Sequence, residues 1–318
     1  MRRSLVASGA VLLLAVSAPA ARAQTCSDPT TIGDACAVAS DFFRYMAPQL
    51  GTAIAGGSHT LGIGTNLGGF PHFAVALRAN AVQGGAPAIN DVNVGAAQQR
   101  SFGVDETPIP MATVDFALGL TKGFNLGVTR IGGIDLIGGV TYLPEIDGDE
   151  FSLVPQNNIA VGLGARVGIL EQSALIPGVS LSYMKRDLPT VDLGASADDG
   201  STFGINDLSV KTTSWRIAAQ KNLLLFQLGA GFGGDTYDYS TNATVTVSGV
   251  GGGTGSMSDT QSVTRTTMYG TLGINLWLFK IVGEVGQVSG GDITTFNDFS
   301  TPANEARTYG TLGIRVSF

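Results

Sequence analysis

The chain closes on Tyr309-Gly310-Thr311-Leu312-Gly313-Ile314-Arg315-Val316-Ser317-Phe318. Read as a strand, this stretch puts Leu312, Ile314, Val316 and Phe318 on one face and Tyr309, Thr311, Arg315 and Ser317 on the other. One face is apolar throughout and the other carries a cation. Its first six residues repeat, letter for letter, Tyr269-Gly270-Thr271-Leu272-Gly273-Ile274. Two strands running in one direction are therefore predicted to share one outward surface.

The same period of two recurs from Phe70 onward. Phe73, Val75, Leu77 and Ala79 alternate with Ala74, Ala76, Arg78 and Asn80; Val114, Phe116 and Leu118 alternate with Thr113, Asp115 and Ala117. Ile159, Val161, Leu163 and Val167 oppose Gly162, Gly164 and Arg166. Val179, Leu181 and Tyr183 continue the pattern, as do Trp215, Ile217 and Ala219, then Leu224, Phe226, Leu228 and Phe232, and Met268, Leu272, Ile274 and Leu276. Such segments suit tilted spanning strands of about 9 to 11 residues, with lipid on one side and water or a polar plug on the other. A soluble β-sandwich would alternate as well. The expectation is an all-β, antiparallel up-and-down transmembrane β-barrel of about ten strands, within a range of roughly eight to fourteen. Glycines blur the parity near Ile134 to Leu143 and Ile281 to Val288, and residues 122–133 could form a further strand. Polar stretches near 83–107, 189–206 and 241–260 read as long outer loops, and tight turns are expected near Lys221-Asn222 and Phe279-Lys280.

The N-terminus reads as an export signal: Arg2 and Arg3 precede an apolar run from Val11 to Val16, and Ala21-Arg22-Ala23 ends it. The expected organisation is a signal peptide over 1–23, a helix and plug segment over 24–69 and a barrel over 70–318. No later stretch offers the roughly 20 consecutive apolar residues of a spanning helix, although hydrophobic residues make up 44% and charged ones only 14%. Cys26 and Cys36, the only cysteines, suit a local disulfide in an oxidising compartment. Their spacing and the two histidines give no zinc pattern, and a net charge of −7 without a basic stripe argues against nucleic acid. Asp34 is a plausible helix cap before Ala39, Phe42, Phe43 and Met46, and Pro48 is expected to end that helix. The glycine-dense segment 51–69 then reads either as a strap at the barrel mouth or as a hatch inside it.

The terminal strand resembles the C-terminal strand of bacterial outer-membrane β-barrel proteins. That resemblance implies outer-membrane placement, contact with its lipid bilayer, and recognition of Tyr309, Leu312, Ile314, Val316 and Phe318 by the machinery that inserts barrels. A fainter similarity connects the chain to hydrophobic-compound transporters of the fatty-acid and toluene type, which place a glycine-rich hatch before their first strand. The comparable region is 50–69. This chain is short for their strand number and lacks their asparagine-proline-alanine signature, so the resemblance implies a plug and no residue roles.

Parity assigns Arg78, Asp115, Asp135, Arg166, Arg186, Arg216, Glu284, Arg307 and Arg315 to the lumen. Charge on the lipid face costs about 2 to 4 kcal/mol at mid-depth, which explains the segregation. Lys185 and Lys211 break it only at outer strand ends. Asp115, Arg166, Arg216, Glu284 and Arg315 lie near the expected periplasmic turns and could form one ring. Two alternatives follow: the charges pair across a filled interior, or they line an arginine-rich constriction that favours anions. With only His59 and His72, and neither Gly-x-Ser-x-Gly nor a paired-histidine motif, no enzymatic site or cofactor is expected. The function expected is a passive channel or carrier for a small hydrophobic or anionic solute; the alternative is a non-conducting structural or surface-interaction barrel.

Overall fold

The computed structural model describes residues 32–57, 59–90, 92, 95–147, 151–249 and 251–318. The expected signal peptide and Cys26, with its pairing to Cys36, lie outside the described residues. Ten strands form the barrel wall: β1 (Phe73–Ala88), β2 (Ser101–Thr121), β3 (Gly133–Tyr142), β4 (Ile159–Leu170), β5 (Gly178–Asp187), β6 (Thr202–Leu223), β7 (Phe226–Thr246), β8 (Thr254–Leu276), β9 (Phe279–Val288) and β10 (Arg307–Ser317). Each pairs antiparallel with its neighbour in sequence. β10 returns to β1 with Val75 opposite Val316, closing the ring and removing both edges. Phe73 and Phe318 exchange both backbone hydrogen bonds at 2.9 Å and stack their rings 5.1 Å apart, so the terminal residue completes the seam. Residues 122–133 add no wall strand; Phe124–Leu126 and Thr129–Ile131 form a separate hairpin.

The polar stretches expected to be loops are largely strand. β6, β7 and β8 run for 22, 21 and 23 residues, about twice the length a bilayer requires. The reason is legible along β8. Met268, Gly270, Leu272 and Ile274 face outward in its lower part, whereas Ser256, Thr260, Ser262, Thr264 and Thr266 do so above. Inward, Arg265, Thr267 and Thr271 below give way to Val263 and Met257 above. The strand keeps its parity while the chemistry of its two faces exchanges. Below, the outside is lipid and the inside polar; above, the outside is water and the inside is a hydrophobic core. Short strands Phe151–Pro155 and Val191–Ser196 continue the upper wall beside β6, above the shorter β3, β4 and β5.

That upper tower is filled by a helix, α1 (Gly33–Ala55). Phe42, Phe43, Met46, Leu50 and Ile54 pack against inward residues such as Val82, Met111, Phe203, Ile205, Val210 and Tyr239. Two local expectations are corrected here. Ile32, not Asp34, occupies the N-cap position; Asp34 lies in the first turn, pairs with Arg100 at 2.9 Å and accepts from Gln98 N. Pro48 does not end the helix. An interior proline costs about 3 kcal/mol, but burying Leu50 and Ile54 contributes about 1.5 to 3 kcal/mol each, with Ala53 and Ala55 adding to it.

The tight turns also shift, to Leu224-Leu225 and Trp277-Leu278, where Leu224 (φ 50°) and Trp277 (φ 40°) adopt left-handed backbone. That conformation costs bulky residues about 1 to 2 kcal/mol each. These turns do not look like turns because they sit at the lower rim of the lipid band, where apolar tips are compatible with the surroundings. Short turns mark the periplasmic end and the tower the extracellular end.

The exchange of faces predicts opposite tolerance along one strand. Leu272→Arg should lose about 2 to 4 kcal/mol of stability, whereas Ser262→Arg, beside Asp238 on the tower surface, should change it by less than about 0.5 kcal/mol. Denaturant unfolding of the barrel refolded in lipid vesicles measures both.

Candidate functional site: the occupied lumen

Below α1 the chain continues down the barrel axis as irregular backbone, described over residues 56–57 and 59–69, before turning into β1. Polar residues of the wall serve the end of the helix and this segment in sequence. Asn80 donates to Ala53 O at 2.6 Å, Arg216 to Ala55 O at 3.5 Å and Arg78 to Gly56 O at 2.8 Å. The last carbonyls of a helix have no partner within it and carry the negative end of its dipole, so a cluster of arginine and asparagine there stabilises them twice over. Arg166 then reaches His59 O at 3.3 Å and Arg315 reaches Leu61 O. Gln227 donates to Gly62 O, Gln220 accepts from Gly64 N at 2.7 Å and Asp135 accepts from Leu67 N at 3.1 Å. The segment lies inside the barrel, bonded to its wall at these points.

The structure places all nine lumen candidates in the interior, each at most 3% exposed. Three pairs form: Arg78 with Asp115 at 2.6 Å, Arg166 with Asp135 at 2.7 Å and Arg216 with Asp235 at 2.8 Å. Tyr309 donates to Glu284 at 3.1 Å, and Arg307 bonds the Tyr45 hydroxyl of α1 at 3.0 Å with its guanidinium over that ring. Arg186 has no partner among the described residues. The expected single ring is not what these contacts make: Arg78, Asp115 and Arg216 gather at the end of α1, while Arg166, Asp135 and Arg315 serve the hatch beyond it. Glu284 accepts from the Tyr309 hydroxyl.

Sequence reasoning missed Asp235 and Arg265, both buried. Asp235 follows Gly233-Gly234, where parity is hard to carry, and Arg265 falls between the expected loop at 241–260 and the alternation that starts at Met268. Continuing the outward parity of Phe226, Leu228 and Phe232 by one more turn of the pleat would have found Asp235. His59 was also underread. Its Nδ1 lies 2.8 Å from Ser182 Oγ and its Nε2 2.9 Å from Ser214 Oγ, tying the hatch to β5 and β6. One ring nitrogen donates and the other accepts, which a neutral imidazole satisfies fully.

Depressions of about 650 and 660 Å³ lie on the outer wall, over Gly231, Gly270 and Gly286 and over Gly229, Gly283 and Gly310. A smaller cavity, about 290 Å³, opens at the extracellular rim between Phe42, Pro87, Asn90, Asp105, Ser196 and Asp198.

No protein family matches the chain, and no curated protein does. Among solved structures it is similar to the TodX deltaS2S3 mutant monoaromatic hydrocarbon channel, at 12% identity and a TM-score of 0.34, over 78% of this chain and 66% of that one. It is similar to the Ralstonia pickettii toluene transporter TbuX, at 9% identity and a TM-score of 0.34, over 83% of this chain and 92% of that one. Ail, the attachment invasion locus protein of Yersinia pestis, follows at 10% identity and a TM-score of 0.21, over 78% and 98%. At these scores none of the likenesses bears on function, and the fold rests on the strand pairing itself. A closed antiparallel ring, apolar outside and charged within, is the architecture of an outer-membrane β-barrel, here occupied along its axis by its own N-terminal segment.

The Arg166–Asp135 pair gives a direct energetic test. Arg166→Met alone should cost about 3 to 5 kcal/mol by leaving Asp135 buried without its cation. Adding Asp135→Asn should recover most of that loss, because the amide oxygen still accepts from Leu67 N. A double-mutant cycle on unfolding free energies measures the coupling.

Proposed function

We propose that this barrel is a gated channel or carrier for a small solute, closed in this conformation by residues 56–69 and opened when that segment moves. The observation that carries this reading is the contrast between the two halves of the lumen. The helix above is held by apolar packing. The segment below is glycine-rich; it packs Leu61 and Ile63 into two small apolar clusters of the wall and is tied along its length by hydrogen bonds that water can replace. An element fixed by dispersion and hydrophobic burial serves as an anchor, and one fixed by exchangeable polar contacts serves as a gate. Below α1, buried Arg78, Arg166, Arg186, Arg216 and Arg315 outnumber Asp115, Asp135, Asp235 and Glu284 by one, an imbalance that favours an anionic or carboxylate-bearing solute once the gate opens.

Export by the segment 1–23, a Cys26–Cys36 disulfide and recognition of the terminal strand through Phe318 by barrel-inserting machinery belong to the same proposal. The outward placement of Leu312, Ile314 and Phe318 supports the last of these. A second reading, a non-conducting surface-interaction barrel, is favoured by the hydroxyl-rich tower, which stands well beyond the lipid band and carries the rim cavity.

Planar-bilayer conductance separates the two. Asn66 of the hatch lies against Gly168 of β4, where a Cβ would stand 3.1 Å from Asn66 Cβ, so N66C/G168C can lock the segment to the wall. Conductance steps in the mature chain, more frequent in Arg166→Ala or Arg315→Ala and abolished reversibly by oxidation of the N66C/G168C variant, are expected of a gated channel. Silence of all these folded forms would leave the surface-interaction barrel.

A further inference from the structure

Arg186 projects from β5 into the lumen at 2% exposure, yet none of its three guanidinium nitrogens meets an acceptor among the described residues. Each of the other lumen arginines has at least one partner. A guanidinium does not give up its proton in a protein, so it cannot escape burial by becoming neutral, and a bare buried charge is strongly unfavourable.

The wall beside it is built on glycines, and the side chains of Asp115 and Arg186 lie over them. Asp115, Gly139, Gly162 and Arg186 are successive partners on one ladder row across β2, β3, β4 and β5. The two central positions are glycines; a Cβ on Gly139 would stand 2.6 Å from Asp115 Oδ1, and one on Gly162 would stand 2.5 Å from Arg186 Cγ. The charges that act most strongly on Arg186 are Arg78, Asp115, Arg216 and Asp235, which already form two neutral pairs. His59, held by two serine hydroxyls, adds none. The local sum is therefore one uncompensated positive charge.

We propose that the lumen holds a single small monoanion, of halide or formate size, on the Arg186 guanidinium beneath the end of α1. One negative charge neutralises the cluster, whereas a dianion would reverse it. The site belongs to the closed barrel and does not depend on gating, so its failure and the failure of the channel reading are separate results.

The test uses the full mature chain with bromide and chloride as probes. Crystals grown in bromide should show an anomalous peak within about 3.5 Å of the Arg186 guanidinium. The unfolding midpoint should rise by a few degrees as chloride replaces gluconate from about 5 to about 500 mM at constant ionic strength, and R186M should lose both the peak and the dependence. If R186M does not fold, R186K with the wild-type peak decides. Absence of the peak, or equal chloride dependence in wild type and R186M, overturns the proposal. A peak without any chloride dependence marks an adventitious ion only and overturns it too.

Discussion

Irregular backbone at the depth of a bilayer is tolerated only where every carbonyl and amide along it can find a partner inside the protein. Residues 56–69 impose that demand on this barrel. Their glycines leave peptide groups uncovered between the buried side chains of His59, Leu61 and Ile63, and the wall answers with Arg78, Arg166, Arg315, Gln220, Gln227 and Asp135. Arg78 and Arg166 then need counter-charges of their own, which Asp115 and Asp135 provide. The charged lumen is thus a consequence of the peptide that runs through it.

The helix above imposes the opposite demand. α1 is buried on nearly all sides and needs an apolar envelope, but a barrel only as tall as the bilayer has already committed its interior to polar work. Extending β6, β7 and β8 beyond the lipid solves this without breaking a strand, because a fixed period of two lets the same backbone trade its faces when the outer solvent changes from lipid to water. The junction falls where the end of α1 meets Arg78, Asn80 and Arg216, so the helix dipole and the change of interior polarity coincide. The closed lumen follows from both demands together, since the anchor fills the upper half and its tether fills the lower.

Parity along each strand could be read from the sequence because it depends only on neighbours two residues apart. It carries the ring of about ten strands, the lipid face of Met268, Leu272 and Ile274, and the inward direction of nine charges between Arg78 and Arg315, Asp235 and Arg265 excepted. It did not give the pairs among those charges, since Arg216 meets Asp235 through the register of β6 on β7, and register is a relation between strands. Nor did it give the length of β8, because alternating serine and threonine reads as loop unless the apolar partner of Val263 and Met257 is known to be a helix.

What the sequence determined by itself was therefore the kind of wall this chain builds, through local periodicity and the solvent each face must meet. Only the tertiary structure decided what stands inside it: a helix that continues past Pro48 because the tower buries Leu50 and Ile54, and a hatch whose peptide groups fall opposite particular arginines. Those choices depend on contacts between residues more than a hundred positions apart, such as Arg315 with Leu61 and Ser214 with His59, and no local pattern carries them.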